Sequence, residues 1–194
     1  MKLLKLISFS SFYLGISYLL RLSLTYFIAQ AVSVHEMGIY SWVVTAFGVL
    51  SIIAIFGQDF LLLRKIPEYS ADKERLKKVL GFSLKLVSFL SLIAILLIYC
   101  IFFFSVNFLD SPYIAGLTII ALALPMCCLN LINAVILRTN GRPLLSQVSD
   151  SLVQPSVLIF LIIIFFFVLE FELNSNYLLY FNLISWTFCI LFSI

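Results

Sequence analysis

The chain has 194 residues, of which 63% are hydrophobic and only 11% charged, and its formal net charge at pH 7 is +3. Soluble domains run near 45–50% apolar and about 25% charged. A water-soluble globular fold is therefore excluded, and the basic excess is no signal for nucleic acid.

Six apolar stretches are each long enough for a helix of about 20 residues to cross a bilayer: 7–33, 38–63, 80–106, 112–137, 144–169 and 177–194. The first opens with Lys2 and Lys5 and ends at Ala29-Gln30-Ala31, which imitates a secretory signal peptide. Its apolar region is too long, and Arg21 interrupts it where a signal core is uncharged, so it reads as a first transmembrane helix. Arg21 has Ser17 and Thr25 one turn away on either side. A charge at mid-span costs at least about 2.5–3.5 kcal/mol on insertion scales. The position therefore calls for an anionic group in a central cavity or for a structural ion-pair partner.

The second span closes on Gln58 and Asp59. Asp59 is a candidate proton or cation site, with ion pairing or plain solvation as the alternatives. From Arg64 to Lys78 runs the longest polar stretch. Pro67 offers a break there, Asp72 a helix start, and Leu76, Val79 and Leu80 an apolar side, which predicts a helix lying along the interface before it turns into span three. Asp110-Ser111-Pro112 is a turn before span four, within which Asn130 and Asn133 read as interhelical glue. Asn140-Gly141-Arg142-Pro143 is a tight turn before span five.

Span five begins with Gln147, Asp150, Ser151 and Gln154 at i, i+3, i+4 and i+7, a polar stripe ending at Pro155. It predicts either a hydrogen-bonding seam between helices or the wall of an aqueous path. Span six begins near Tyr177, and the sequence stops at Ile194 without a basic anchor, so the chain reads as an N-terminal fragment of a longer transporter or an interrupted frame.

Eleven of the twelve Lys and Arg fall at the N-terminus, in the second connection and span-three entry, or in the fourth connection. The first, third and fifth connections hold only Glu36, Asp110, Glu170 and Glu172. The positive-inside rule then places both ends in the cytoplasm. Cys100, Cys127, Cys128 and Cys189 all lie inside apolar spans without metal or redox spacing, and read as small apolar packers. The one histidine, His35, reads as a solvated loop residue. No paired carboxylates, nucleophile motif or phosphate-binding glycine loop is present, so the expectation is a protein that is not an enzyme and has no catalytic residue, metal or cofactor.

Three segments carry a resemblance. Ala29-Gln30-Ala31-Val32-Ser33-Val34-His35-Glu36-Met37-Gly38-Ile39-Tyr40-Ser41 resembles the helix-one to helix-two junction of Wzx-type O-antigen flippases, in the polysaccharide-exporter branch of the MATE-like superfamily. Phe56-Gly57-Gln58-Asp59-Phe60-Leu61-Leu62-Leu63-Arg64-Lys65-Ile66-Pro67-Glu68-Tyr69 resembles that family's Gly-x-Asp-x-x-x-x-Arg…Glu-Tyr segment, and Leu137-Arg138-Thr139-Asn140-Gly141-Arg142 its inner turn between helices four and five. The likeness spans roughly residues 25–160. It departs at Gln30, where the family often carries a basic residue, and at Pro67, where a small residue is common.

The resemblance implies an all-α, polytopic integral membrane protein. Its single six-helix membrane domain, residues 1–194, would be one of two bundles related by an axis along the membrane normal. It implies a bacterial inner-membrane flippase moving an undecaprenyl-diphosphate-linked O-antigen or other polysaccharide repeat unit. The partners would then be the lipid-linked oligosaccharide, membrane lipids and the missing second bundle, with no nucleic acid. Arg21, with Ser17 and Thr25, would hold the diphosphate, and Gln147, Asp150, Ser151 and Gln154 would line the inward-open cavity. The alternatives are a multidrug or lipid-precursor exporter of the same superfamily, a membrane-embedded glycan polymerase or ligase, and an inactive remnant.

Overall fold

The computed structural model describes residues 2–105, 112–143, 145–169 and 173–193, and among these every regular element is a helix. The order is α1 (Lys2–Ala31), α2 (Val34–Ile55), α3 (Gln58–Glu68), α4 (Lys73–Ser105), α5 (Pro112–Ala121), α6 (Leu124–Thr139) and α7 (Leu145–Val148). A π-helical segment (Ser149–Val153), α8 (Gln154–Ile162), a second π-helical segment (Ile163–Val168) and α9 (Ser175–Ser193) follow. Helices satisfy their own backbone hydrogen bonds, which is what a lipid environment demands. Five helices are long and apolar enough to cross a membrane, or six if the bent pair α5–α6 is one span. This is a membrane protein.

The fourth predicted span is not straight. α5 and α6 meet at 50°. Pro125 stands at the start of α6, and its ring would collide with the carbonyl of Ala121 four residues back if the helix ran through. The chain instead closes a tight turn, Ala123 N–H donating to Ile120 O at 2.9 Å. Ile120, Ala121, Ala123 and Leu124 pack the bend into the core, while Leu122 at its apex is exposed.

The second predicted span is also interrupted. Phe56 and Gly57 both adopt left-handed backbone (φ 49° and φ 70°), ending α2 and starting α3 in a new direction. Residues 58–63 thus belong to a separate helix. The helix expected along the interface after Asp72 does not form as a separate element. Asp72 does start a helix, its Oδ1 accepting from Arg75 N–H at 3.1 Å. That helix is α4, which runs without a break into the third span. Gly81 stands at the expected boundary, yet the helix passes through it, as helices do at a cost of about 1 kcal/mol for a glycine.

Between α6 and α7 the expected turn forms. Arg142 N–H donates to Leu137 O at 2.9 Å and Gly141 N–H to Arg138 O at 3.2 Å, around Gly141 at φ +73°. This pair of bonds is the Schellman closure that a left-handed glycine permits. Asp110, Ser111, Glu170 and Glu172 lie outside the described residues, as does the side chain of Asp150.

Of the five straight spans, α9 is the most enclosed and α1 the least. α9 packs against α2, α5, α6 and α8, burying Leu178, Leu179 and Cys189, whereas α1 leans mainly on α8. Small residues allow the close approaches. A Cβ on Gly116 of α5 would stand 2.9 Å from both Leu179 Cδ1 and Val43 Cγ2. Cys127, Cys128 and Cys189 are buried and Cys100 is exposed, and all four are unbridged.

Candidate functional site

The bundle has two chemically distinct ends. At one, Ser33 caps α2 by accepting from Glu36 N–H at 3.3 Å, as a Ser-x-x-Glu capping box requires. The Glu36 carboxylate does not fold back to complete the box. It accepts instead from Ser175 N–H, at the start of α9, at 2.8 Å. His35 lies exposed in the first turn of α2 rather than in a loop. At the other end α3, the start of α4 and the end of α6 pack together, bringing Asp59, Arg64, Lys65 and Arg138 to one region.

Where α2 gives way to α3, a pocket of about 250 Å³ opens against α6. Its walls are apolar (Ile55, Phe60, Leu131, Val135), and its polar groups are Asp59 and Arg138. The left-handed pair Phe56-Gly57 creates it, because a continuous helix would carry Asp59 past this position. Asp59 sits in the first turn of α3 and Arg138 in the last turn of α6, and each sign of charge suits its helix end. Arg138 Nε donates to Ser146 Oγ at 3.1 Å, and that hydroxyl donates to Pro143 O at 2.6 Å. The ion pairs among the described residues are Lys65–Glu68 and Arg75–Asp72, so Asp59 and Arg138 flank the pocket unpaired. An acid and a base across an apolar cleft suit an amphipathic ion, or a proton or cation at the carboxylate.

Arg21 lies within the apolar Ser11–Ala31 segment of α1 and is exposed, without an ion-pair partner among the described residues. Its neighbours divide. Steps of four residues drift about 40° round a helix, so Tyr13 and Ser17 are buried while Arg21 and Thr25 have walked off the packed face. Thr25 Oγ1 donates to Arg21 O at 3.0 Å, back along its own helix. The strip that looks continuous in sequence therefore straddles the edge between packed and open surface.

The span-five stripe meets the first π-helical segment. Its wider turn breaks the i, i+3, i+4, i+7 phase, so Gln147 and Gln154 do not share one ideal α-helical face. Pro155 explains the position. A wide turn just before it moves the Ser151 carbonyl away from the ring. Gln147, Ser151 and Gln154 are half-buried, and α1 packs against both this segment and α8. The helix of Arg21 and the helix of the stripe are thus neighbours, while Asp59 belongs to the separate pocket.

Two features were absent from the sequence reading: Arg138 as a pocket residue and Glu36 as a cap for α9. Arg138 had a signal, a basic residue ending a helix, but reads in sequence only as a topology charge. Asn130 departs from expectation. It is fully buried, and both atoms of its side-chain amide lack hydrogen-bond partners. The interhelical bond foreseen for it is therefore not made. No group of His, Cys, Asp and Glu able to hold a metal occurs among the described residues. Compared with known proteins, the chain matches no protein-family model, no curated relative and no solved structure.

Proposed function

We propose that this chain is one bundle of a membrane transporter that flips a diphosphate-linked lipid carrying an oligosaccharide repeat unit, from the inner to the outer leaflet of a bacterial inner membrane. The single observation that carries the reading is Arg21: a guanidinium inside an apolar span, exposed, and unpaired among the described residues. A charge so placed is costly unless it meets water, an anion or another protein surface. A guanidinium is suited to holding two phosphate oxygens at once. α1 is also the least enclosed of the five straight spans, which leaves a face for a second bundle. Gln154 adds to the argument. It lies on a helix adjacent to that of Arg21, since α1 packs against α8.

In this mechanism Arg21 binds the diphosphate, Gln147, Ser151 and Gln154 offer hydrogen bonds along the path, and Asp59 exchanges a proton or cation in the pocket it shares with Arg138. The test is surface O-antigen restored to a flippase-deficient strain by the intact transporter. Arg21→Lys should keep part of the activity, while Arg21→Ala and Arg21→Glu should lose most of it at unchanged membrane abundance. Full activity in Arg21→Ala removes Arg21 from the mechanism.

A second reading, export of cationic amphipaths, is favoured by the carboxylate of Asp59 in an apolar cleft. Asp59→Asn would then abolish drug efflux while sparing O-antigen.

A further inference from the structure

A second cavity, of about 300 Å³, lies where α3 and α4 diverge from their connecting turn, lined by Leu61, Lys65, Tyr69, Lys78, Val79 and Phe82. Its chemistry is graded. Leu61, Lys65 and Tyr69 follow one another at four-residue steps along α3 toward the turn, and Lys78 and Phe82 do so along α4 away from it. The polar groups therefore gather at the turn and the apolar ones, Leu61 and Phe82, about 6 Å further along each helix. Both are exposed, so the apolar mouth is open.

At the polar end three hydrogen-bond donors converge. Lys65 Nζ is held by Glu68 Oε2 at 2.8 Å and donates to Tyr69 OH at 3.4 Å, which leaves one ammonium hydrogen. The Tyr69 hydroxyl, acting as acceptor there, keeps its own hydrogen to give. Lys78 is exposed and forms no ion pair among the described residues. Hydrogen bonding to Glu68, then to Tyr69, raises the Lys65 pKa above its usual value, so it stays charged. With Glu68 offsetting Lys65, the local excess is one positive charge.

We infer that this cavity is a binding site for an anionic glycerophospholipid. The phosphate would be received by Lys65, Tyr69 and Lys78, and an acyl chain would run past Leu61, Val79 and Phe82. A zwitterionic headgroup would bring an ammonium against Lys78 and is disfavoured. A free phosphate would satisfy the donors but leave the apolar wall without purpose. The inference is independent of what the protein transports. The site would anchor the junction of α3 and α4 to the leaflet that carries the basic residues.

The test is photocrosslinking of the full chain in vesicles of about one part phosphatidylglycerol to four parts phosphatidylcholine. A benzophenone amino acid replaces Phe82, and the mass of the captured lipid is read. Phe103, exposed on the same helix beyond the cavity, serves as the reference position. The captured ratio of phosphatidylglycerol to phosphatidylcholine at position 82 should exceed the bulk ratio by about fivefold for each lysine engaged, and should equal the bulk ratio at position 103. Lys65→Gln with Lys78→Gln should erase the enrichment, and the corresponding Arg pair should retain it. Lys78→Gln alone, on an exposed side chain, should lower the enrichment by about fivefold and serves should the double variant fail to insert. Equal capture at both positions, or enrichment undiminished in Lys78→Gln, overturns the proposal. Loss of enrichment to inorganic phosphate, beyond a control of chloride at matched ionic strength, overturns the lipid as occupant.

Discussion

The carboxylate of Glu36 and the backbone N–H of Ser175 meet at 2.8 Å, joining the first turns of two helices that are 139 residues apart in sequence. One acidic side chain thereby supplies an acceptor to the start of α9, the helix that packs against most of the bundle. Seven residues further along α9, Asn182 Nδ2 donates to Tyr40 OH at 3.3 Å, so α2 and α9 are tied twice. The first tie involves a charged acceptor at a half-buried site, a class of bond contributing about 1.5–3 kcal/mol. Glu36→Ala should lower the thermal midpoint in detergent, and Glu36→Gln should do so by less, because the amide oxygen still accepts. Equal midpoints for all three proteins would show that the contact contributes nothing.

Asn130 is the opposite case. Removing a buried amide with no partner, while keeping its volume, relieves a desolvation cost of about 1–3 kcal/mol. Asn130→Leu is expected to raise the thermal midpoint by several degrees. A fall in midpoint would mean that the amide bonds within the membrane in a way the packed helices do not display.

Gly116 stands where α5 touches α2 and α9. A methyl group there must displace Leu179 or Val43, both completely buried, and overpacking of this kind costs about 1–3 kcal/mol. Gly116→Ala should therefore destabilise. Gly15→Ala, whose added Cβ meets nothing within 4 Å on α1, should be neutral or slightly stabilising. If both substitutions behave alike, α5 does not approach its neighbours this closely.

Orientation follows from charge and is open to labelling. With the native cysteines removed, a cysteine at His35 should react with a membrane-impermeant thiol reagent in intact cells, whereas cysteines at Lys77 and Arg142 should react only after permeabilisation. All three positions are exposed, so silence is not explained by burial. Reaction at Lys77 in intact cells would invert the topology.

The apolar runs and the charge alternation were legible because both are local: about 20 apolar residues and the sign of the flanks. The Gly141 turn was legible for the same reason. What escaped depended on single residues inside apolar runs. Pro125 sits amid leucine, alanine and cysteine, where hydropathy is blind to a missing N–H. Phe56 enters left-handed backbone although only its neighbour Gly57 advertises that freedom. The continuity of α4 escaped because Pro67 and Asp72 signal a boundary without saying how long the next helix runs. Of the site residues, Arg21 and Asp59 stood out as charges next to or within hydrocarbon. Their surroundings, an open face and a cleft shared with Arg138, are products of tertiary packing that no spacing encodes.

The two π-helical segments on either side of α8 hold surplus chain. A wide turn accommodates one residue more than an ordinary turn, so each stretch stores what amounts to an insertion. Removing one residue from Ser149–Val153 or from Ile163–Val168 closes that turn to regular α-helix and leaves the facing of the segments beyond it nearly unchanged. Removing one from Gln154–Ile162 instead rotates everything downstream by about 100° and drives Leu158 or Ile162 out of the core. The fifth span is thus length-tolerant at its two soft turns and intolerant between them, a pattern that a deletion series along Leu145–Phe166 would trace residue by residue.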